Sequence, residues 1–165
     1  MGWTTPVTWA AGTVVSASDM NAQLRDNMDY VHSRKPVSIN LLNDGADYTT
    51  TSTSFVDVDA TDLSKSITTT TGRVLILVAC VISSSVSAET SLDVAMDGTL
   101  IGSANTLGIV THNTNTRSLM SFATVKTGVS NGSHTFKLQW RTSTGTATMR
   151  STTSTNPVSF HILEW

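Results

Sequence analysis

The sequence predicts a mainly β protein, in which an N-terminal arm and one amphipathic helix precede an antiparallel β-sandwich of jelly-roll type. Three observations point there. Apolar residues recur at intervals of three and four only near the N-terminus. From Val37 onward the period falls to two, with turn signals every eight to twelve residues. Ser and Thr make up about 31% of the chain, spread along its length, and Thr packs well on a pleated surface.

Residues 1–15 carry Trp3 and Trp9 among Thr, Pro and Gly, and Pro6 and Gly12 disfavour a regular element, so an extended arm is expected. Ser16, Ser18 and Asp19 then offer N-cap oxygens. Met20, Leu24, Met28 and Val31 follow at spacings of four, four and three, which predicts a helix over 18–33. Arg34 and Lys35 suit a helix C-terminus, and Pro36 forbids continuation. The chain therefore divides into an arm-plus-helix domain over 1–35 and a sandwich over 36–165. Nine or ten short strands are expected in the sandwich. They cover 37–42, closed by Asn43-Asp44-Gly45, then 55–58, 63–69, 73–83, 92–96, 99–102, 117–125, 133–141, 146–150 and 158–165. Asp97-Gly98 between two alternating runs is the strongest hairpin signal among them. The strand from Arg73 to Ser83 is apolar on both faces, so one face meets the opposite sheet and the other seeks a second surface, such as another subunit.

A formal charge of −2, with 10 basic and 12 acidic residues and no Lys/Arg run, argues against nucleic acid or an anionic membrane as partner. The longest apolar run is about half a membrane span, and no secretion signal is read at the N-terminus. The single cysteine, Cys80, reads as a small buried hydrophobe. No G-x-S-x-G elbow, H-E-x-x-H pair or phosphate-binding loop is present. The four histidines, His32, His112, His134 and His161, lie far apart without ligand spacing. Asp57, Asp59 and Asp62 resemble calcium ligands in spacing, but they lack the glycine and glutamate of an EF-hand loop and read as a solvated strand face. Asn131-Gly132-Ser133 reads as a turn. No catalytic, cofactor-binding or metal-binding residue is assigned, and no cofactor is expected.

The remaining features suggest attachment. Trp3, Trp9 and Trp165 are large apolar groups on segments too short to form a core, so they read as anchors to a partner. Met20, Leu24, Asn27 and Val31 also fit two heptads, in which a buried Asn would fix register. The candidate attachment and oligomerisation residues are Trp3, Trp9, Met20, Leu24, Asn27, Met28 and Val31.

The segment Trp9-Ala-Ala-Gly-Thr-Val-Val-Ser-Ala-Ser-Asp-Met-Asn-Ala-Gln-Leu-Arg-Asp-Asn-Met-Asp-Tyr-Val31 resembles an N-terminal module recurrent in structural proteins of tailed bacteriophages, with the pattern W-x-x-G-x-x-(V/L)-(T/S)-A-S-x-(L/M)-N-x-x-(L/I)-R-D-N. D-G-T-x-I-G at 97–102, G-S-H-T-F-K-L-Q-W at 132–140 and G-T-A-T at 145–148 resemble the β-rich half of such proteins. The resemblance implies a virion component, usually a homotrimer, attached through its N-terminal module with the sandwich outward. Its partners would be sister chains and the major capsid protein or other virion proteins. It carries no catalytic residues. A fibre shaft needs repeats or a long coiled coil, and neither is present, which favours a capsid decoration or head-fibre protein on the virion surface. The alternative is a tail-fibre or tail-tip protein that binds a host surface glycan through hydroxyl-rich loops at 111–116 and 142–144.

Overall fold

The computed structural model describes residues 3–33, 37–41, 47–102, 108–113, 115–151 and 158–164. The expected stop at Arg34, Lys35 and Pro36, the turn at Asn43-Asp44-Gly45 and the anchor Trp165 lie outside the described residues. Two compact units are present, Met1–Lys35 and Pro36–Trp165.

In the first unit the Ser16 side chain caps the helix, accepting from the Asp19 amide at 3.1 Å and donating to the Asp19 carboxylate at 2.6 Å. The helix runs in three pieces: α1 (Ala17–Met20), a π-helical stretch (Asn21–Asp26) and α2 (Asn27–Ser33). The periodicity gives no sign of the π-helical stretch, a rare geometry that occurs often at functional positions.

The second unit is a sandwich of two antiparallel sheets. Its strands are β1 (Val37–Leu41), β2 (Tyr48–Thr50), β3 (Val56–Asp57), β4 (Ser64–Thr69), β5 (Arg73–Ser84), β6 (Glu89–Met96), β7 (Thr99–Leu100), β8 (Val110–Asn113), β9 (Ser118–Thr127), β10 (Gly132–Thr142), β11 (Ala147–Arg150) and β12 (Val158–Glu164). The first sheet is built on β5. Strand β9 runs along one edge of it over Arg73–Ile82. The other edge is shared end to end, with β12 on Val74–Ala79 and β11 on Val81–Ser84. Strands β1 and β2 extend the sheet beyond β12 and β11. The second sheet centres on β10 and β6, with β3 and β4 outside β10 and with β7 and β8 outside β6.

Alternation decides which side chains face the core. Val74, Ile76, Val78, Cys80 and Ile82 of β5 meet Phe136, Leu138 and Trp140 of β10, with Leu92, Val94, Phe160 and Ile162, in one buried cluster. Burial pushes the Cys80 thiol up to about 12, so it is an inert apolar filler. The Asp97-Gly98 hairpin forms as expected. Both residues have positive φ, 49° and 80°, as a type I′ turn requires. Two strands escape the sequence reading. β2 and β8 have three and four residues, too few for alternation to stand out in Ser/Thr-rich surroundings. β8 also corrects the reading of 111–116 as wholly loop, because Val110–Asn113 pairs with β6.

Candidate functional site

The first unit is assembled by two amides. Asn27 receives the Thr4 N–H on Oδ1 at 2.8 Å and returns Nδ2 to the Thr4 carbonyl at 3.0 Å and to the Gln23 carbonyl at 3.3 Å. One turn earlier, Gln23 receives the Val7 N–H at 3.2 Å and donates to the Thr5 carbonyl at 3.3 Å. Each amide thus reads one donor and one acceptor of the arm's backbone, as a neighbouring strand would. Trp3 lies over Tyr30 with ring centroids 6.1 Å apart and planes tilted by 56°, a favourable aromatic arrangement. Gln23, Asn27 and Tyr30 therefore form the arm-facing side of the helix.

The adjoining side is open. Met20, Leu24, Met28 and Val31 are 41, 50, 70 and 62% exposed, and Trp3 and Trp9 are also exposed. Trp3, Asn27, Met28 and Val31 line an open surface groove of about 410 Å³ whose walls are almost wholly apolar. Of the seven residues singled out from the sequence, these four are brought together. Trp9, Met20 and Leu24 lie outside that groove. Asn27 is buried against the arm of its own chain, so it does not stand in the exposed row of Met20, Leu24 and Val31. The sequence reading missed Gln23 and Tyr30, whose spacing of four and three around Asn27 is the one signal that could have found them.

A second constellation sits at the β6–β10 end of the sandwich, where Ser130, His134 and Asp97 stand in series. His134 is buried, with Nδ1 2.6 Å from Asp97 Oδ2. Its Nε2 lies 2.9 Å from the Ser130 carbonyl and 3.3 Å from the Ser130 hydroxyl. The order matches that of a hydrolase triad, but the proton inventory differs. A carboxylate and a carbonyl can only accept, so in the imidazolium form both ring nitrogens donate, Nδ1 to Asp97 and Nε2 to the Ser130 carbonyl, and neither is left as a base. The bond to Asp97, then the one to the Ser130 carbonyl, raise the His134 pKa, and the same bond to His134 lowers that of Asp97. Asp97 also receives the Thr135 N–H at 2.8 Å, so the trio fastens the hairpin turn to β10.

The acidic run is equally occupied. Asp57 pairs with Lys137 Nζ and Gln139 Nε2, each at 2.7 Å, and Asp59 receives the Thr61 and Asp62 amides. Among the described residues no His/Cys/Asp/Glu group is arranged to hold a metal, and no helix is long and apolar enough to cross a membrane. Thr142, expected in a hydroxyl-rich loop over 142–144, instead ends β10, paired with Thr90; it is buried and donates to the Thr144 carbonyl at 2.8 Å.

No protein-family model and no curated protein matches the sequence. Among solved structures the chain is similar to a chain of the T13 IBDV viral particle, with a TM-score of 0.40 and 16% identity, over 79% of this chain and 35% of that one. It spans about a third of that protein's length, and a likeness at this level carries no functional argument.

Proposed function

We propose that the chain is a non-enzymatic structural protein of a tailed-phage virion, a homotrimeric capsid decoration or head-fibre protein. It docks on the major capsid protein or another virion protein through its arm and helix and displays its sandwich outward. One observation carries this reading: among the described residues of the first unit only Asn27 is buried, while Trp3, Met20, Leu24, Met28 and Val31 are exposed on one short helix and its arm. A segment of this size with no apolar core gains stability chiefly by covering that row on a partner. Burying each such side chain contributes roughly 1.5–3 kcal/mol before the costs of association. The resemblance of Trp9–Val31 to the phage module supports a virion surface as the partner. A protein that binds only assembled shells shifts the equilibrium toward them.

Leu24→Asp places a charge in the middle of the row and leaves the sandwich untouched. Incorporation into particles should be abolished with the sandwich melting temperature unchanged, and undiminished incorporation would refute the anchor role. Binding of the purified protein to tail tips, and not to shells lacking it, would move the docking site from capsid to tail.

A further inference from the structure

Among the described residues, β9 is the longest strand with a free edge. It pairs with β5 over ten consecutive positions, Ser118 to Thr127, and no described strand pairs with its far side. The other strands with a single neighbour run two to six residues. Proteins blunt such an edge with proline, a bulge or a charge, and Ser118 to Val125 carries none of these. Along the free side every second residue offers its amide and carbonyl to solvent. The side chains beside that edge are also open. On the core-facing side Phe122 and Thr124 are half-buried, whereas Val78 and Ile76 beside them on β5 are buried. On the other side Leu119 and Val125 are 68 and 42% exposed. A strand added here would cover apolar surface on both faces of the sheet.

Charge selects the occupant. Arg117 stands just before β9, and Lys126 with Arg73, which pairs with Thr127, stands at its other end. None of the three belongs to an ion pair among the described residues, whereas Lys137, Arg141 and Arg150 of the same unit are each paired. Neither β9 nor β5 carries an acidic residue. Glu164, opposite Val74 on β12, is engaged by the Thr70 and Thr71 amides and hydroxyls. We infer that the free edge of β9 takes an extended segment of another protein by strand addition, apolar or β-branched in its middle and acidic at both ends. Main-chain bonds supply the affinity of such an addition, and side chains and charges its specificity. The separation of Arg117 and Lys126 sets the segment at about ten residues. A sister β9 fits less well, because antiparallel pairing centred on Phe122 would bring Arg117 of one copy next to Lys126 of the other at both ends. The inference goes beyond the attachment reading above, which concerns the other unit.

A dye-labelled peptide of about ten residues, with Asp-Asp at each end and alternating Val and Thr between, is the probe, titrated with the full-length chain and read by fluorescence anisotropy. Saturable binding that weakens with salt is expected. Lysines in place of the aspartates should weaken it roughly tenfold or more, and Arg117→Glu/Lys126→Glu should reverse that preference with unchanged circular dichroism. N-methylation of one alternate set of peptide amides should abolish binding, and of the other set should leave it. Tolerance of both sets would overturn strand addition, and equal affinity for the acidic and basic peptides would overturn the acidic partner. No binding of either peptide would overturn the inference outright. A wild-type mass by light scattering that then falls to one chain in Val125→Lys would give the edge to a sister copy instead.

Discussion

His134 shows how one buried side chain fixes a pH range. Its folded pKa is raised, so its contribution is complete below the unfolded value near 6.5 and is lost as pH rises through the folded one. Asp97 is lowered, so its contribution is present above the unfolded value and lost only as pH falls through the folded one. The pair is therefore intact in mildly acidic solution. The melting-temperature gap between wild type and His134→Gln should be wide at pH 5.5 and narrow at pH 9, and a gap independent of pH would contradict the imidazolium assignment. Asn27 makes a second residue-scale prediction. Asn27→Ala removes both bonds to Thr4, so the arm should detach, read as faster proteolysis within residues 3–10 and a shift in Trp3 fluorescence toward that of exposed indole. Neither role was legible in the sequence. His134 was one of four scattered histidines, and Asn27 fitted a heptad because a spacing cannot tell an interchain seam from a backbone clamp within the chain.

At the scale of elements, what could be read followed the strength of the alternation. The strand at 73–83 announced itself by an apolar run on both faces, and the one at 133–141 by large apolar residues at alternate positions. The Asp97-Gly98 turn was legible because its two positive φ angles admit few residue pairs. Tyr48–Thr50 and Val110–Asn113 were not, since their pairing is dictated by neighbours already in place and not by their own pattern. The helix was found through Ser16 and the four-residue spacing, but its π-helical middle belongs to backbone hydrogen bonding that side-chain periodicity does not report. Ser16→Ala removes the cap and should lower helix stability by roughly 0.5–2 kcal/mol. Hydrogen exchange of the 17–33 amides would show it as faster opening confined to that stretch, and unchanged protection would argue against the cap.

At the scale of the whole molecule, the two units are each held together by different means. The sandwich has its core entirely within 36–165, so its packing does not depend on the first unit. The arm and helix hold together by backbone-reading amides and leave their apolar row exposed. The exposure of Leu77 on the outer side of β5 was foreshadowed by a strand with no polar side, whereas the free edge of β9 needed the pairing of the strands. The central claim is that the chain attaches to its partner through the arm and helix. The most direct test is incorporation into particles of the chain with and without residues 1–35. Loss of incorporation on truncation with the sandwich still folded is the predicted result, and undiminished incorporation would contradict it.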